Sequence, residues 1–269
     1  MTYNNRAFVK AEALGNDFII IRDNGGPEVT ATEAITLCDR RKGIGADGVL
    51  LVGDSSQADL SMKVINADGS VAEMCGNGIR CVAKYAYDLG LVTKDIMSVA
   101  TGAGIREVVV TKGPDGKASV IRVALGQPVF GIIEQPVAGS SDVAITTVSI
   151  GNPHAVIFVD DADKVPVASL GPAIEMLPAF PDRTNVEFTQ VLDDRSLRMR
   201  VWERGAGETT ACGTGAAAAL AAAVKTGRTG RKATVKLDGG DLTVTWPEDG
   251  QISIEGGANI VFSGELGGI

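Results

Sequence analysis

The chain has a single histidine, His154, and only four cysteines, Cys38, Cys75, Cys81 and Cys212, in 269 residues. Four thiols spread through a chain of this length do not form a disulfide framework. The Cys75-x5-Cys81 spacing, with one imidazole in the whole chain, does not assemble a zinc cluster, so no metal is expected. Positive charge is also short: 25 Lys and Arg stand against 33 Asp and Glu, a net charge of -8 with no basic block. A nucleic acid is therefore not an expected partner. No apolar run reaches the roughly 18 residues of a membrane span, and the polar start Met1-Thr-Tyr-Asn-Asn-Arg6 lacks the apolar core of an export signal. A cytoplasmic location away from membranes is the expectation. What the chain does have is glycine, 34 residues of it, set between apolar runs in the manner of tight turns.

The glycines fall into a pattern. Met74-Cys-Gly-Asn-Gly-Ile-Arg-Cys81 is echoed by Ala211-Cys-Gly-Thr-Gly215, and an offset of 137 takes Cys75 to Cys212, Gly76 to Gly213, Gly78 to Gly215 and Gly90 to Gly227. Gly15-Asn16 and Gly151-Asn152, each leading into an apolar run, are related by an offset of 136. A period this long signals two domains of like fold rather than a solenoid. We expect an N-terminal domain of residues 1–119 with 256–269, carrying Cys75, and a C-terminal domain of 120–255, carrying Cys212. The active site is expected in the cleft between them.

Each cysteine opens a helix. From Gly76 to Leu89 the apolar Ile79, Val82, Ala83, Ala86 and Leu89 follow helical spacing, with Arg80, Lys84 and Asp88 set apart and Gly90 as the stop. From Gly213 to Thr226 nearly every side chain is a methyl, so this helix is apolar, and therefore buried, on every face. Shorter helices are expected over Thr32–Arg41 and within Pro166–Leu177. Strands are expected at 18–22, 49–52, 60–65, 105–111, 119–124, 143–150, 155–159, 183–188, 196–202, 233–237, 241–246 and 251–255, with Asn259–Phe262 returning to the first sheet. The fold class is α+β: two pseudo-symmetric domains, each a curved, mostly antiparallel sheet wrapped around a central helix.

A thiol at a helix mouth meets unpaired N–H groups and the positive end of the helix dipole, which favour the thiolate. Two such mouths, one from each domain, can hold a carboxylate between Gly76-Asn77 and Gly213-Thr214 while their sulfurs address opposite sides of its α-carbon. One sulfur then removes the α-proton, the other returns a proton to the opposite face, and the stereocentre inverts. The pair titrates together, so a bell-shaped pH dependence is expected, and the chemistry asks for neither metal nor pyridoxal. Taken singly, each of these residues has a plainer reading. A free cysteine is usually a small hydrophobe, which is where Cys38 and Cys81 belong; asparagines at strand ends are turn formers; Glu203 beside Arg204 is a solvated pair.

Taken together, the motifs resemble the diaminopimelate epimerases. The resemblance spans the chain through Leu14-Gly-Asn-Asp-Phe18, Gly45-Ala-Asp-Gly48, Asn66-Ala-Asp-Gly69, Cys75-Gly-Asn-Gly78, Gly151-Asn-Pro-His154, Thr184-Asn-Val-Glu-Phe188, Glu203-Arg-Gly-Ala-Gly-Glu208 and Ala211-Cys-Gly-Thr-Gly215. It implies a cofactor-independent isomerase that interconverts L,L- and meso-diaminopimelate on the route to lysine and peptidoglycan, in a fold of two domains with a sheet around a central helix. By the same resemblance Cys75 and Cys212 are the acid/base pair, and Gly76, Asn77, Gly213 and Thr214 hold the reacting end. Asn16, Asn66, Asn152, Asn185 and Arg204 bind the distal amino-acid group, with Glu203 beside its ammonium, and His154 and Glu203 tune the thiols. A homodimer is implied as well. One departure is Gly48, where some members carry glutamine, so a side-chain contact is lost. Three alternatives stand beside this reading: a proline or hydroxyproline racemase, a thiol hydrolase using His154, and a redox-active thiol pair.

Overall fold

The structure, a computed structural model, describes residues 6–26, 28–137, 140–248 and 250–267. The chain divides into two compact units, Met1–Val123 with Gly256–Ile269, and Ala124–Glu255. In unit 1 the elements run β1 (Arg6–Ala13), β2 (Asn16–Arg22), α1 (Ala31–Cys38), β3 (Gly48–Gly53), β4 (Leu60–Asn66), β5 (Val71–Ala72), α2 (Gly76–Asp88), β6 (Ile96–Thr101), β7 (Gly104–Lys112) and β8 (Ala118–Gly126), whose end carries the boundary. Unit 2 follows with β9 (Val129–Phe130), β10 (Gln135–Val137), β11 (Ser140–Ser149), β12 (Pro153–Phe158), α3 (Val167–Glu175), β13 (Asn185–Asp193), β14 (Ser196–Glu203), β15 (Gly207–Thr209), α4 (Gly213–Lys225), β16 (Lys232–Leu237), β17 (Gly240–Thr245) and β18 (Ile252–Gly256). The last strand, β19 (Asn259–Leu266), lies antiparallel to β1 in unit 1.

The same order of connections occurs twice. In unit 1, β1 pairs antiparallel with β2, β2 parallel with β3 across α1, β3 antiparallel with β4, and β4 parallel with β6 across α2. In unit 2, β11 pairs antiparallel with β12, β12 parallel with β13 across α3, β13 antiparallel with β14, and β14 parallel with β16 across α4. The register repeats too: Phe18 stands opposite Gly48, and His154 opposite Asn185. Parallel neighbours require a crossover, and in each unit a helix supplies it.

Helix α2 packs against β1, β2, β3, β4, β7 and β19, and α4 against β11, β12, β13, β14, β16 and β17. Ala216 through Ala223 of α4 have no solvent exposure at all, because methyl side chains let sheet approach on every side. Both helices stop at a left-handed glycine. Gly90 (φ 70°) and Gly227 (φ 71°) are each followed by a residue whose N–H returns to the helix, Leu91 to the Ala86 carbonyl and Arg228 to the Ala223 carbonyl, both at 2.8 Å.

Several elements depart from the sequence reading, among them the two- and three-residue strands β5, β9, β10 and β15, which it does not include. Helix α1 ends at Cys38 rather than near Arg41, because Asp39 turns its carboxylate onto the N–H groups of Arg41 and Lys42. Strand β1 is not signalled by alternation because Lys10, a charged residue, points inward and is buried against the Gly45 carbonyl and Asp17. The short strand β6 also adds to the expected set. No helix among the described residues is long and apolar enough to cross a membrane.

Candidate active site

Both helix mouths are capped by sulfur. Cys75 is the N-cap of α2, with extended backbone (φ -138°, ψ 116°), and its Sγ accepts the Gly78 N–H at 3.3 Å. Cys212 is the N-cap of α4 (φ -122°, ψ 112°), and its Sγ accepts the Gly215 N–H at 3.4 Å. An N-cap is normally a Ser, Thr, Asp or Asn oxygen; cysteine in that role places a weak acceptor where ionisation strengthens it. The glycines make the approach possible. A Cβ on Gly78 would lie 3.5 Å from the Cys75 sulfur and 3.1 Å from Leu50, and one on Gly215 would lie 3.3 Å from the Cys212 sulfur and 2.8 Å from Glu187.

In unit 1 a two-residue turn, Leu14 (φ 57°) and Gly15 (φ 81°), joins β1 to β2 and delivers Asn16 at the first position of the strand. The Asn16 amide is oriented by Asp47, which accepts its N–H at 2.7 Å. Its oxygen therefore faces the Cys75 sulfur at 3.9 Å and the Asn77 amide at 3.3 Å. Behind Asp47 stand Arg40, Asp17 and the buried Lys10. Burial works against the Asp17 carboxylate, but the hydrogen bonds from Arg40 and Lys10 outweigh it and hold its pKa at about 2. Asn66 closes β4 with its side chain donating to Ser70 at 2.9 Å, so its amide is committed to its own turn.

In unit 2 a longer relay leads to the sulfur. Glu187 meets His154 Nδ1 at 2.7 Å, and His154 Nε2 meets the Asn152 oxygen at 3.0 Å. Asn152 in turn donates to Thr214 at 3.3 Å, and the Thr214 hydroxyl lies 3.6 Å from the Cys212 sulfur. The link from His154 to the Cys212 sulfur thus runs through Asn152 and Thr214, which is not the direct base–thiol contact that a Cys–His hydrolase uses. Burial pushes the Cys212 thiol well up, and the Glu203 and Glu187 carboxylates add to the effect; the Thr214 hydroxyl and the Gly215 N–H oppose it. Burial likewise raises the Glu203 carboxyl, against hydrogen bonds with Thr209 and Cys212.

The Glu203-Arg204 turn is held by Asn185 and Glu175. Asn185 donates to the Pro153 carbonyl at 2.8 Å and accepts the Arg204 backbone N–H at 2.9 Å, so its side chain positions Arg204. Glu175 of α3 receives the Trp202 indole N–H at 2.7 Å and the Gly205 N–H at 3.2 Å. The Arg204 guanidinium is exposed, bonded to the Asp182 carbonyl at 3.3 Å.

Of the residues named from sequence, Cys75, Gly76, Asn77 and Asn16 gather at the α2 mouth. Cys212, Gly213, Thr214, Asn152, His154 and Glu203 gather at the α4 mouth. Asn66 instead bonds within its own turn, and Asn185 ties the Pro153 carbonyl to the Arg204 backbone. The sequence reading missed three residues that hold these groups. Asp47 lay in a loop read only as a close turn. Glu187 sits in a strand buried on both faces, where alternation gives no signal. Helical spacing puts Arg80 off the apolar face of α2, yet it is fully buried. A cavity of about 570 Å³ in unit 2, lined by Ile157, Val165, Ile174, Leu177 and Phe188 among others, includes none of the thiol-site residues.

The family model for diaminopimelate epimerase matches residues 8–131 and 146–261. Among curated relatives, the diaminopimelate epimerase of Pelotomaculum thermopropionicum is 49% identical, over 96% of this chain and 98% of its own. That of Moorella thermoacetica is 46% identical over 96% and 98%. The chain belongs to the diaminopimelate epimerase family. Its fold also matches solved structures of more distant proteins: a phenazine biosynthesis protein of the PhzF family from Bacillus anthracis (TM-score 0.77, 19% identity, 98% of this chain and 99% of that one) and a hydroxyproline epimerase from Agrobacterium vitis (TM-score 0.73, 17% identity, 99% and 94%). A Cβ on Gly48 would lie 2.9 Å from the Ile65 carbonyl oxygen. The close strand pairing of β3 with β4 therefore leaves no room for a side chain.

Proposed function

We propose that this chain interconverts L,L- and meso-diaminopimelate by proton transfer between two thiols, without a cofactor. Family membership supports the substrate, and one observation carries the mechanism: a cysteine caps the central helix of each unit, at matched positions, with its sulfur on the N–H of the third residue on. In the reaction, one thiolate takes the α-proton and the other thiol protonates the opposite face. This requires the two mouths to bracket one substrate in a cleft between the units. The N–H groups of Gly76 and Asn77, and of Gly213 and Thr214, then receive the substrate carboxylate as charge develops on it, each well-placed donor contributing about 3 kcal/mol. Glu203 and Arg204 engage the distal ammonium and carboxylate, with Asn16, Asn66, Asn152 and Asn185 around them. His154 acts through Asn152 and Thr214 rather than on the sulfur. We also propose a cytoplasmic homodimer, for which the exposed apolar Ile260, Val261 and Phe262 of β19 offer a contact face.

Incubation of the purified, reduced protein with diaminopimelate in D2O, with no added cofactor, tests the reaction and the substrate together. Deuterium is expected at the α-carbon. No exchange with either stereoisomer sinks the assignment, and exchange with proline in its place moves the chain to the racemases.

A further inference from the structure

Arg80 has no solvent exposure, and its guanidinium is held by three neutral oxygens: the Gly76 carbonyl at 3.1 Å, the Asn77 side chain at 2.9 Å and the Gly257 carbonyl at 3.3 Å. No carboxylate among the described residues pairs with it. A buried cation is ordinarily paired, because desolvating it alone is costly, so an anion absent from this list is called for.

The neighbouring acids are engaged elsewhere. On β1, Glu12 takes the Gly15 N–H and the Asn259 side chain. On β2, Asp17 is bound by Lys10 and Arg40, and Asp47 before β3 by Arg40 and Asn16. Strand β3 carries no ionisable side chain, Lys63 on β4 pairs with Glu28, and on β7 and β19 the acids Glu107 and Glu265 are exposed while Arg106 only adds positive charge. On α2 itself, Lys84 and Asp88 pair with each other. Two thiols remain. Cys81 is wholly buried, and burial pushes its thiol far up, which leaves Cys75.

Comparison of the two mouths sharpens this. The offset of 137 that relates the cysteines carries Arg80 onto Ala217, and carries Leu50, the neighbour of Gly78, onto Glu187, the neighbour of Gly215. Unit 1 thus has a buried cation and a hydrocarbon where unit 2 has a methyl and a carboxylate.

Resting on the two-thiol reading above, we infer that Arg80 is a positioning residue for the reaction: it fixes the Gly76-Asn77 turn and supplies the charge that makes Cys75 the resting thiolate, leaving Cys212 as the resting thiol. The anion is the missing partner of the guanidinium, and it forms by loss of the Cys75 proton to solvent.

The test is the pH dependence of iodoacetamide alkylation at each cysteine, read by peptide mass spectrometry in the full chain. In the unaltered protein Cys75 is expected to titrate at lower pH than Cys212. Arg80→Met is expected to raise the Cys75 midpoint by about one pH unit or more, a tenfold change in the proton affinity, while the Cys212 midpoint stays put. Arg80→Lys, which keeps the charge, is expected to restore most of the shift. A folded Arg80→Met protein with an unmoved Cys75 midpoint overturns the inference. Should the variants fail to fold, a Cys75 midpoint at or above that of Cys212 in the unaltered protein overturns it as well. Alkylation does not need turnover, so a failed epimerase assay with the expected alkylation pattern removes the function and leaves the role of Arg80 standing.

Discussion

Unit 1 and unit 2 thread the same order of strands and helices and put a cysteine at the same capping position, yet the side chains behind the two sulfurs differ: a buried arginine, Arg80, backs the first, and the acids Glu187 and Glu203 back the second. Behind the α2 mouth lie Arg80 and the amides of Asn77 and Asn16, the latter held by Asp47; around Cys212 stand Glu203, Glu187 and, through Asn152 and Thr214, the imidazole of His154. A duplicated scaffold explains why both thiols can be presented at all. The divergence of the side chains behind them explains how two like groups can take unlike protonation states. A two-base inversion needs that inequality, since two thiolates lack a proton to return and two thiols lack a base.

The most forceful way to break the comparison is to remove each sulfur. Cys75→Ser and Cys212→Ser are each expected to lose at least about a hundredfold in turnover, measured by optical rotation or a coupled assay, because a serine hydroxyl is a poor base near neutrality. Near-full activity in either variant would falsify the pairing. A finer contrast uses the glycines. Gly215→Ala drives a methyl to 2.8 Å from a Glu187 oxygen that His154 holds in place, whereas Gly78→Ala meets the movable end of Leu50 at 3.1 Å. The first is expected to destabilise by about 1–3 kcal/mol and the second by less. Denaturant midpoints that come out equal would show that the two mouths are equally yielding.

Charge at the second mouth is probed by Glu187→Gln. Since that carboxylate helps raise the Cys212 thiol, its loss lowers the thiol pKa, and the alkaline limb of the pH–rate profile should move down by about one unit. A stationary limb would assign the effect to burial alone. The last contrast lies at Asp17 and bears on stability rather than turnover. Its folded pKa of about 2 lies below the ordinary value of about 3.9, so the stabilisation is fully present above roughly pH 4 and is lost as pH falls through 2. Asp17→Asn should flatten that part of the stability curve, as measured by urea melts at pH 2 and pH 5. An unchanged slope would mean that the Lys10–Asp17–Arg40 cluster contributes nothing to the acid limit of unit 1.

How much of this was legible in the sequence differs by element. Helices α2 and α4 were legible because glycine marked both ends and a cysteine opened each; their bounds differ from the expected ones by one residue at the C-terminal end. The return of Asn259–Phe262 to the first sheet was legible too, since β19 pairs with β1. Strand β1 was not, because the inward Lys10 broke the apolar alternation. At the site, the groups that stand at loop–helix junctions were readable from motif and spacing. Arg80 and Glu187 were not, because a charged residue on a helix or strand is assumed to face water, and both are held inside by partners distant in sequence: Gly257 for Arg80, and His154 for Glu187.

The pairing of β1 with β19 also fixes an order of events during synthesis. Unit 2 is a continuous stretch and has all its strands once residue 256 is made, whereas Glu12 must wait for Asn259, 247 positions later, before its side-chain bond can close. One edge of β1 stays open until β19 is made, and the helix that carries Cys75 lacks one of its covering strands until then. Closing that contact is a late, long-range step. The unit begun first is therefore the one finished last, and Arg80 receives the Gly257 carbonyl only when the final strand is about to be laid down.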